Sequence, residues 1–363
     1  MAKTFPISQL SFCLLFHFFL GKCSSSPLAP ALYVFGDSLV DSGNNDFLNT
    51  SSKANYSPYG IDFPSGPTGR FTNGKTFADF LAKYLGLPFA PPFLGLSEDQ
   101  KSETITGMNY ASGSAGILRK TGSAIGMNLA LERQIELFQD TVKNYLPKNF
   151  KAKNELLQYL SKSIFVVDIG SNDYLNNYLQ PAHYTSNQLY SPVQFAGILV
   201  KKFKESLQDI YSLGARKFLV FNIAPIGCTP ALLSSENITS GCAEDANQLV
   251  SLYNEGLAEM LQDLSTCLQG STFVQAEFYA SSYDLNQNPY KYGFTSRSPC
   301  CSVNASTAQC YPDVQPCQDR TTHVYWDAVH PSQQSNFLFA TGCFLGSSQY
   351  CTPLNILQLT QKQ

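Results

Sequence analysis

The chain has 363 residues, of which 44% are hydrophobic and 14% charged, and its formal net charge is −3. This balance is typical of a globular protein, and a near-neutral chain without a basic cluster argues against a nucleic-acid-binding protein. Histidines that could serve as ligands are scarce and the chain lacks any Cys-x-x-Cys pair, which argues against a zinc site.

The first 25 residues have the features of a secretory signal peptide. Lys3 supplies the positive end, Leu10–Leu20 is almost wholly apolar, and Gly21 and Cys23 supply small residues near a cleavage site. The apolar run is shorter than the ~20 residues that span a bilayer, although a signal anchor is the alternative. We predict that residues 1–25 are removed and that residues 26–363 form a single extracellular domain without a membrane span.

Apolar runs and amphipathic stretches alternate along the rest of the chain. The predicted strands are Ala31–Phe35, Thr104–Ala111, Ser163–Asp168, Lys217–Ile223 and Thr272–Tyr279. The predicted helices are Asn73–Leu85, Leu129–Tyr145, Phe195–Leu213, Ala243–Leu264 and a last helix that begins near Pro331. Strands separated by helices favour parallel pairing with helices on both faces. The prediction is a three-layer α/β/α sandwich around a five-stranded parallel sheet, with irregular segments at Thr50–Gly69 and Tyr283–Arg320.

The cysteines lie late in the chain. Of the 11 cysteines, Cys13 and Cys23 fall in the predicted signal peptide, which leaves an odd number in the mature chain, so at least one thiol stays free or pairs with another chain. We expect disulfides that fasten loops, and we predict a bond between Cys228 and Cys242, which flank the segment between the fourth strand and the clearest helix. The other pairings stay open. Candidate glycosylation sequons, which imply surface loops, occur at Asn49, Asn55, Asn237 and Asn304.

A serine follows the first strand, in the sequence Gly36-Asp37-Ser38. Open α/β sheets bind ligands at the carboxyl ends of their strands, and Ser112-Gly113, Gly170-Ser171-Asn172 and Asn222 fall at the same edge of the predicted sheet. An ordinary capped strand-to-helix turn is the alternative interpretation.

A serine nucleophile needs a base, and the base needs an acid that orients it. His330 has Asp327 three residues before it, close enough for the carboxylate to hold the imidazole Nδ1 proton. His183 has no acid close in sequence, and the acid near His323 lies in the cysteine-rich segment. His330 is therefore the predicted base, with a helix-capping or buried structural histidine as the alternative.

Acyl transfer also needs hydrogen-bond donors for the oxyanion. Asn172 offers a side-chain amide, and Gly113 and Gly116 offer backbone N–H groups. The sequence lacks the G-x-S-x-G elbow of the α/β-hydrolases, and it also lacks the glycine-rich nucleotide-binding motifs.

Four blocks of sequence together closely resemble the plant-type GDSL esterase/lipases of the SGNH hydrolase superfamily. They are F-G-D-S-L-V-D-S-G-N-N around Ser38, N-Y-A-S-G-S-A-G from Asn109, D-I-G-S-N-D from Asp168 and W-D-A-V-H-P from Trp326. P-Y-G-I-D-F-P at Pro58, G-R-F-T-N-G-K-T at Gly69 and N-I-A-P-I-G-C at Asn222 also resemble family signatures. The resemblance covers essentially the whole mature chain, in family order.

This resemblance implies a flavodoxin-like α/β/α fold and a role for each matching residue. Ser38 would be the nucleophile and its own N–H an oxyanion donor, with His330 as the base, Asp327 as its orienting acid and Asn172 as a side-chain donor. A glycine N–H of the second block would complete the oxyanion hole. The family often has two adjacent glycines there, and Ser114 replaces the second, so Gly113, Ser114 and Gly116 all remain candidates.

The implied function is a secreted serine esterase or lipase that works through an acyl-enzyme, and we expect it to need neither a metal nor an organic cofactor. An acyltransferase with the same chemistry is one alternative, and a non-catalytic secreted binding or defence protein is another. The implied substrate is a small-molecule, lipid or polymer ester, and the implied location is the apoplast or cell wall if the source is a plant. The many aromatic residues permit an apolar cleft but more often build a core, so the acyl chain and alcohol stay open.

Overall fold

A five-stranded sheet lies at the centre of the structure, a computed structural model that describes residues 26–362. The predicted signal peptide lies outside the described residues. The strands are β1 (Leu32–Gly36), β2 (Ile164–Asp168), β3 (Lys217–Phe221), β4 (Thr272–Ala276), β5 (Ser296–Pro299), β6 (His323–Tyr325) and β7 (Cys351–Thr352). The central sheet has the order β1-β2-β3-β4-β7, and β5 and β6 form a separate two-stranded sheet. Strands β1 to β4 are parallel, and β7 runs antiparallel to β4.

Twelve α-helical segments accompany the strands within residues 26–362. They are α1 (Phe77–Leu85), α2 (Glu98–Glu103), α3 (Leu131–Asp140), α4 (Lys153–Lys162), α5 (Ser171–Asp173), α6 (Ser186–Leu189), α7 (Pro192–Ser212), α8 (Pro230–Ser235), α9 (Glu244–Cys267), α10 (Phe278–Gln287), α11 (Gln333–Leu345) and α12 (Ile356–Gln361). Wider π-helical turns continue two of them, Thr141–Tyr145 after α3 and Tyr174–Tyr178 after α5. None of the helices in the described part of the chain is long and apolar enough to cross a membrane.

Both faces of the sheet are buried. Every residue of β1, β2 and β3 is buried, as expected for parallel strands that are covered by helices on two sides. Tyr33 and Phe35 of β1 pack into a core with α3, α7 and α9, whereas Leu32 and Val34 pack into a second core with α1, α11 and α12. The predicted three-layer α/β/α fold is therefore confirmed.

The sheet differs from the prediction at its two edges. Thr104–Ala111 is not one of its strands, although the Leu32 N–H donates to the Thr106 carbonyl at 3.0 Å and the Val34 N–H to the Met108 carbonyl at 3.0 Å. Gly107 has φ 102° and a Cβ there would collide with Leu32, so the segment bends as it passes β1. The fifth strand is instead β7, which was not predicted and which makes the sheet mostly rather than wholly parallel.

The other predicted elements are present with shifted ends. α1 begins at Phe77 rather than Asn73 because Thr76 caps it, with Asp79 completing a capping box. The predicted strand Thr272–Tyr279 ends early because α10 begins at Phe278. Thr50–Gly69 contains no helix or regular strand, whereas Tyr283–Arg320 includes the end of α10 and all of β5.

Four disulfide bonds fasten the second half of the chain. The structure joins Cys228 to Cys242, Cys300 to Cys317, Cys301 to Cys310, and Cys343 to Cys351. Among the described residues, Cys267 is left as an exposed free thiol. The pair Cys228–Cys242 is the one that the sequence analysis predicted.

Candidate active site

Ser38 stands on a tight turn directly after β1. The Gln134 side chain holds Gly36 from both sides, since its Oε1 accepts the Gly36 N–H at 2.8 Å and its Nε2 donates to the Gly36 carbonyl at 2.7 Å. A Cβ at Gly36 would collide with the Asp168 carbonyl, so only glycine permits this close approach to β2. Asp37 Oδ1 accepts the Leu39 N–H at 3.0 Å and fixes the turn beyond the serine.

Ser38, His330 and Asp327 form a continuous line of hydrogen bonds. The Ser38 hydroxyl lies 2.8 Å from His330 Nε2, and His330 Nδ1 lies 2.7 Å from Asp327 Oδ2. Asp327 is fully buried, and its Oδ1 accepts the N–H groups of Val329 and His330 at 2.8 and 2.7 Å. These bonds orient the carboxylate so that it selects the tautomer with the proton on Nδ1, which leaves Nε2 to accept the serine proton.

The other two histidines of the described residues lie away from this line. His183 is exposed, and His323 Nδ1 lies 3.2 Å from the backbone carbonyl of Asp319, not from its carboxylate. Of the histidines within residues 26–362, only His330 forms a hydrogen bond with Ser38.

Asn172 lies at the same edge of the sheet, in α5 directly after Gly170. Its side-chain amide donates one hydrogen to the Ala115 carbonyl at 3.0 Å, and its oxygen accepts a hydrogen bond from Asn176 at 2.6 Å. The second amide hydrogen makes no hydrogen bond to the protein within residues 26–362, and Asn172 lines the same cleft as Ser38. Asn176 was not predicted from the sequence, and its position four residues after Asn172 was the available signal.

In the second block, N-Y-A-S-G-S-A-G from Asn109, the backbone N–H groups are not all free to bind an oxyanion. The Gly113 N–H donates to Asp41 Oδ2 at 3.1 Å, so in this structure it is already engaged. A Cβ at Gly116 would lie 2.5 Å from Thr121 Cβ, which accounts for a glycine there by packing alone. Ser114 has φ 62°, and its buried hydroxyl has no partner within residues 26–362.

Buried carboxyl groups join the loops that carry the site. Asp41, which accepts N–H groups from Gly43, Asn44 and Gly113, joins the first block to the second, and burial raises its pKa to about 7. Asp173 accepts the Ile117 N–H at 2.7 Å and so joins the third block to the second, and burial raises its pKa to about 6. These contacts fix the three loops relative to one another.

An apolar cleft opens from the serine. Its empty space, counted together with the solvent at its open mouth, is about 910 Å³. Ser38, Asn172 and His330 lie in its wall, and it continues between α10 and α11 along Leu285, Leu338 and Phe339. A concave and mostly apolar site with a few polar groups is typical of small-molecule binding sites.

A serine hydroxyl bonded to a histidine, which a buried aspartate orients, is the arrangement that defines serine hydrolases. It lies here at the carboxyl edge of a mostly parallel sheet, where such folds place their ligands. Fold and site together therefore define an α/β/α serine hydrolase.

Comparison with known proteins identifies the family. The sequence model described as GDSL-like Lipase/Acylhydrolase matches residues 32–341. GDSL esterase/lipase 7 of Arabidopsis thaliana is 43% identical over 341 residues, which cover 92% of this chain and 93% of that protein. A second GDSL esterase/lipase of Arabidopsis thaliana is 40% identical over 352 residues, which cover 94% of this chain and 90% of that protein. The chain belongs to the GDSL lipase/acylhydrolase family, and it is a serine hydrolase of esters.

Proposed function

We propose that this chain is a secreted esterase/lipase in which Ser38 attacks the carbonyl carbon of a carboxylic ester. The observation that carries the proposal is the line of short hydrogen bonds from Ser38 through His330 to the buried Asp327, at 2.8 and 2.7 Å.

The reaction proceeds in two halves. His330 Nε2 takes the proton of the Ser38 hydroxyl as Oγ bonds to the carbonyl carbon, and then gives that proton to the departing alcohol. The ester of Ser38 that remains is attacked by water, whose proton again passes to His330 and then returns to Ser38 as the carboxylic acid leaves. Each half develops negative charge on the former carbonyl oxygen, which the free amide hydrogen of Asn172 and the Ser38 N–H stabilise. A third donor comes from the second block. Because the Gly113 N–H already donates to Asp41, this donor is the backbone N–H of Ser114 or Gly116.

The apolar cleft binds the acyl chain of the substrate. Each buried methylene contributes about 0.8 kcal/mol, a factor of about four in binding. With a series of p-nitrophenyl esters from acetyl to dodecanoyl, we therefore expect kcat/KM to rise with chain length until the cleft is full. A profile that is highest for the acetyl ester would show that the cleft does not hold the acyl chain.

The mature enzyme is proposed to be a single extracellular domain of residues 26–363 that lacks the signal peptide. The support is the four disulfides, together with sequons at Asn49, Asn55 and Asn237 whose side chains are exposed, and at Asn304, which is half-buried. Sequencing the amino terminus of the secreted protein should find a start near residue 26. Treatment with a glycosidase should lower its apparent mass, and an unchanged mass would contradict the glycosylation.

The proposed base is tested with two histidine variants. His330→Ala should reduce kcat by about 10⁴-fold or more, because the serine loses its base. His323→Ala is the matched control, and its kcat should stay within about twofold of the wild type because that ring lies away from Ser38. Equal losses in both variants would contradict the assignment of His330.

A further inference from the structure

Tyr59 forms a hydrogen bond with Asp327 but takes no part in the reaction steps described above. Its hydroxyl donates to Asp327 Oδ2 at 2.6 Å, and this is the same oxygen that lies 2.7 Å from His330 Nδ1. The Tyr59 hydroxyl in turn accepts the Cys310 N–H at 3.2 Å. The residue is fully buried, and it is not among the residues that line the cleft.

The hydroxyl of Tyr59 stays protonated and acts as a donor. Burial, followed by the neighbouring Asp327 carboxylate, raises the pKa of Tyr59 well above the usual range of a tyrosine. The phenol has a single proton, which it donates in the hydrogen bond to the Asp327 carboxylate.

The Tyr59 bond completes the set of donors around Asp327. A carboxylate offers about four acceptor positions. Two are taken at Oδ1 by the N–H groups of Val329 and His330, and two at Oδ2 by Tyr59 and the His330 ring. A carboxylate held on every side cannot rotate away from the imidazole.

The aromatic ring of Tyr59 has a separate role from its hydroxyl. The ring packs edge-on against Tyr56 and Phe71, with ring centroids 5.3 and 6.1 Å apart. The ring centroids of Phe71 and His330 are in turn 5.0 Å apart. A phenylalanine at position 59 would keep these contacts. The part of Tyr59 that phenylalanine lacks is the hydroxyl that bonds to Asp327.

We propose that Tyr59 is a positioning residue of the hydrolase, which holds the Asp327 carboxylate in the orientation that keeps His330 aligned with Ser38. The inference rests on the proposed function of these three residues. Because Tyr59 does not reach the cleft, loss of its hydroxyl acts on the chemical step and leaves substrate binding unchanged.

The test compares Tyr59→Phe with the matched variant Tyr56→Phe on a p-nitrophenyl ester. The Tyr56→Phe variant also loses a hydroxyl near Cys310, since the Tyr56 hydroxyl donates to the Cys310 carbonyl at 2.9 Å. That hydroxyl makes no hydrogen bond to Asp327. Tyr59→Phe should lower kcat by about tenfold with KM within about twofold of the wild type. Tyr56→Phe should keep kcat within about twofold of the wild type. A wild-type kcat in Tyr59→Phe would overturn the inference.

A double-mutant cycle separates positioning from packing. If Tyr59 acts through Asp327, adding Tyr59→Phe to Asp327→Asn should change kcat by less than about twofold. The same tenfold loss in both backgrounds, with a lowered thermal midpoint, would show that the hydroxyl only supports packing and would overturn the inference. A wild-type kcat in Asp327→Asn alone would overturn the proposed function itself, so the two failures are distinguishable.

Discussion

The side-chain amide of Asn172 has one hydrogen left for a substrate. Its oxygen is held by Asn176 and its other hydrogen by the Ala115 carbonyl, so the remaining hydrogen has a fixed direction. A donor that is fixed before the reaction stabilises the oxyanion without reorganising, and this stabilisation is larger in the transition state than in the bound ester.

Replacing Asn172 should therefore affect kcat rather than KM. Asn172→Ala should lower kcat by about 10²–10³-fold. Asn172→Asp should be worse if its carboxylate is ionised, because that negative charge would face the oxyanion. Steady-state kinetics of both variants test this, and a raised KM with an unchanged kcat would show that Asn172 only binds substrate.

Ser114 carries two unfavourable features that a glycine would remove. Its φ of 62° is costly for a residue with a side chain, and its buried hydroxyl lacks a partner within residues 26–362. Ser114→Gly should stabilise the protein by about 1 kcal/mol, as measured by urea denaturation, with kcat within about twofold of the wild type. Destabilisation would contradict this assessment, and a large loss of kcat would show that the hydroxyl serves the reaction.

Irregular segments hold His330 in place. The loop from β6 to α11 carries His330, and the segment before α1 fastens it. Thr72 Oγ1 donates to the Pro331 carbonyl at 3.1 Å, and Asn73 Oδ1 accepts the Gln333 N–H at 2.8 Å. This accounts for long stretches without regular structure next to the site.

The cysteine-rich loop reaches the site through Cys310, whose N–H bonds to Tyr59. Exchanging both Cys301 and Cys310 for serine should lower kcat several-fold, because the peptide that holds Tyr59 loses its covalent anchor. The pair Cys300 and Cys317, exchanged in the same way, is the control from the same loop, since neither residue forms a hydrogen bond with the Tyr59 hydroxyl. Kinetics of the two double variants test this, and an equal loss of kcat in both would contradict a specific link through Cys310.

The elements that could be predicted are those whose apolar pattern is simple. The strands β2, β3 and β4 lie inside their predicted runs, and β1 ends one residue beyond its run, because strands of a parallel sheet that helices cover are nearly continuous apolar segments. Thr104–Ala111 was also predicted as a strand, but Gly107 bends it and it bonds to β1 only in part. β7 has only two residues, Cys351 and Thr352, which is too short for any periodicity.

The site was predictable to a similar degree. Ser38, Asn172, Asp327 and His330 lie in motifs, and the structure brings Ser38, Asp327 and His330 together. The Gly113 N–H could not be known to bond Asp41, since that contact depends on how two loops pack. Tyr59 lies 268 residues from Asp327, and no local pattern reveals a contact at that separation.

For the whole molecule, the count of thiols follows from four disulfides and Cys267. Titration of the secreted protein in denaturant, without reductant, should give one thiol per chain, which peptide mapping should locate at Cys267. A count of three, with the two additional thiols mapped to Cys13 and Cys23, would show that the first 25 residues are retained. Reduction should lower the thermal midpoint, because each closed loop contributes about 3 kcal/mol in the chain-entropy account.

The central claim is that Ser38 is activated by His330 and Asp327, and covalent labelling tests it most directly. A fluorophosphonate probe reacts with an activated serine, and mass spectrometry of the labelled protein locates the adduct. We predict one adduct, on the peptide that contains Ser38, with labelling abolished in Ser38→Ala and at least about 100-fold slower in His330→Ala. An adduct on another serine, or equal labelling of His330→Ala and the wild type, would contradict the account.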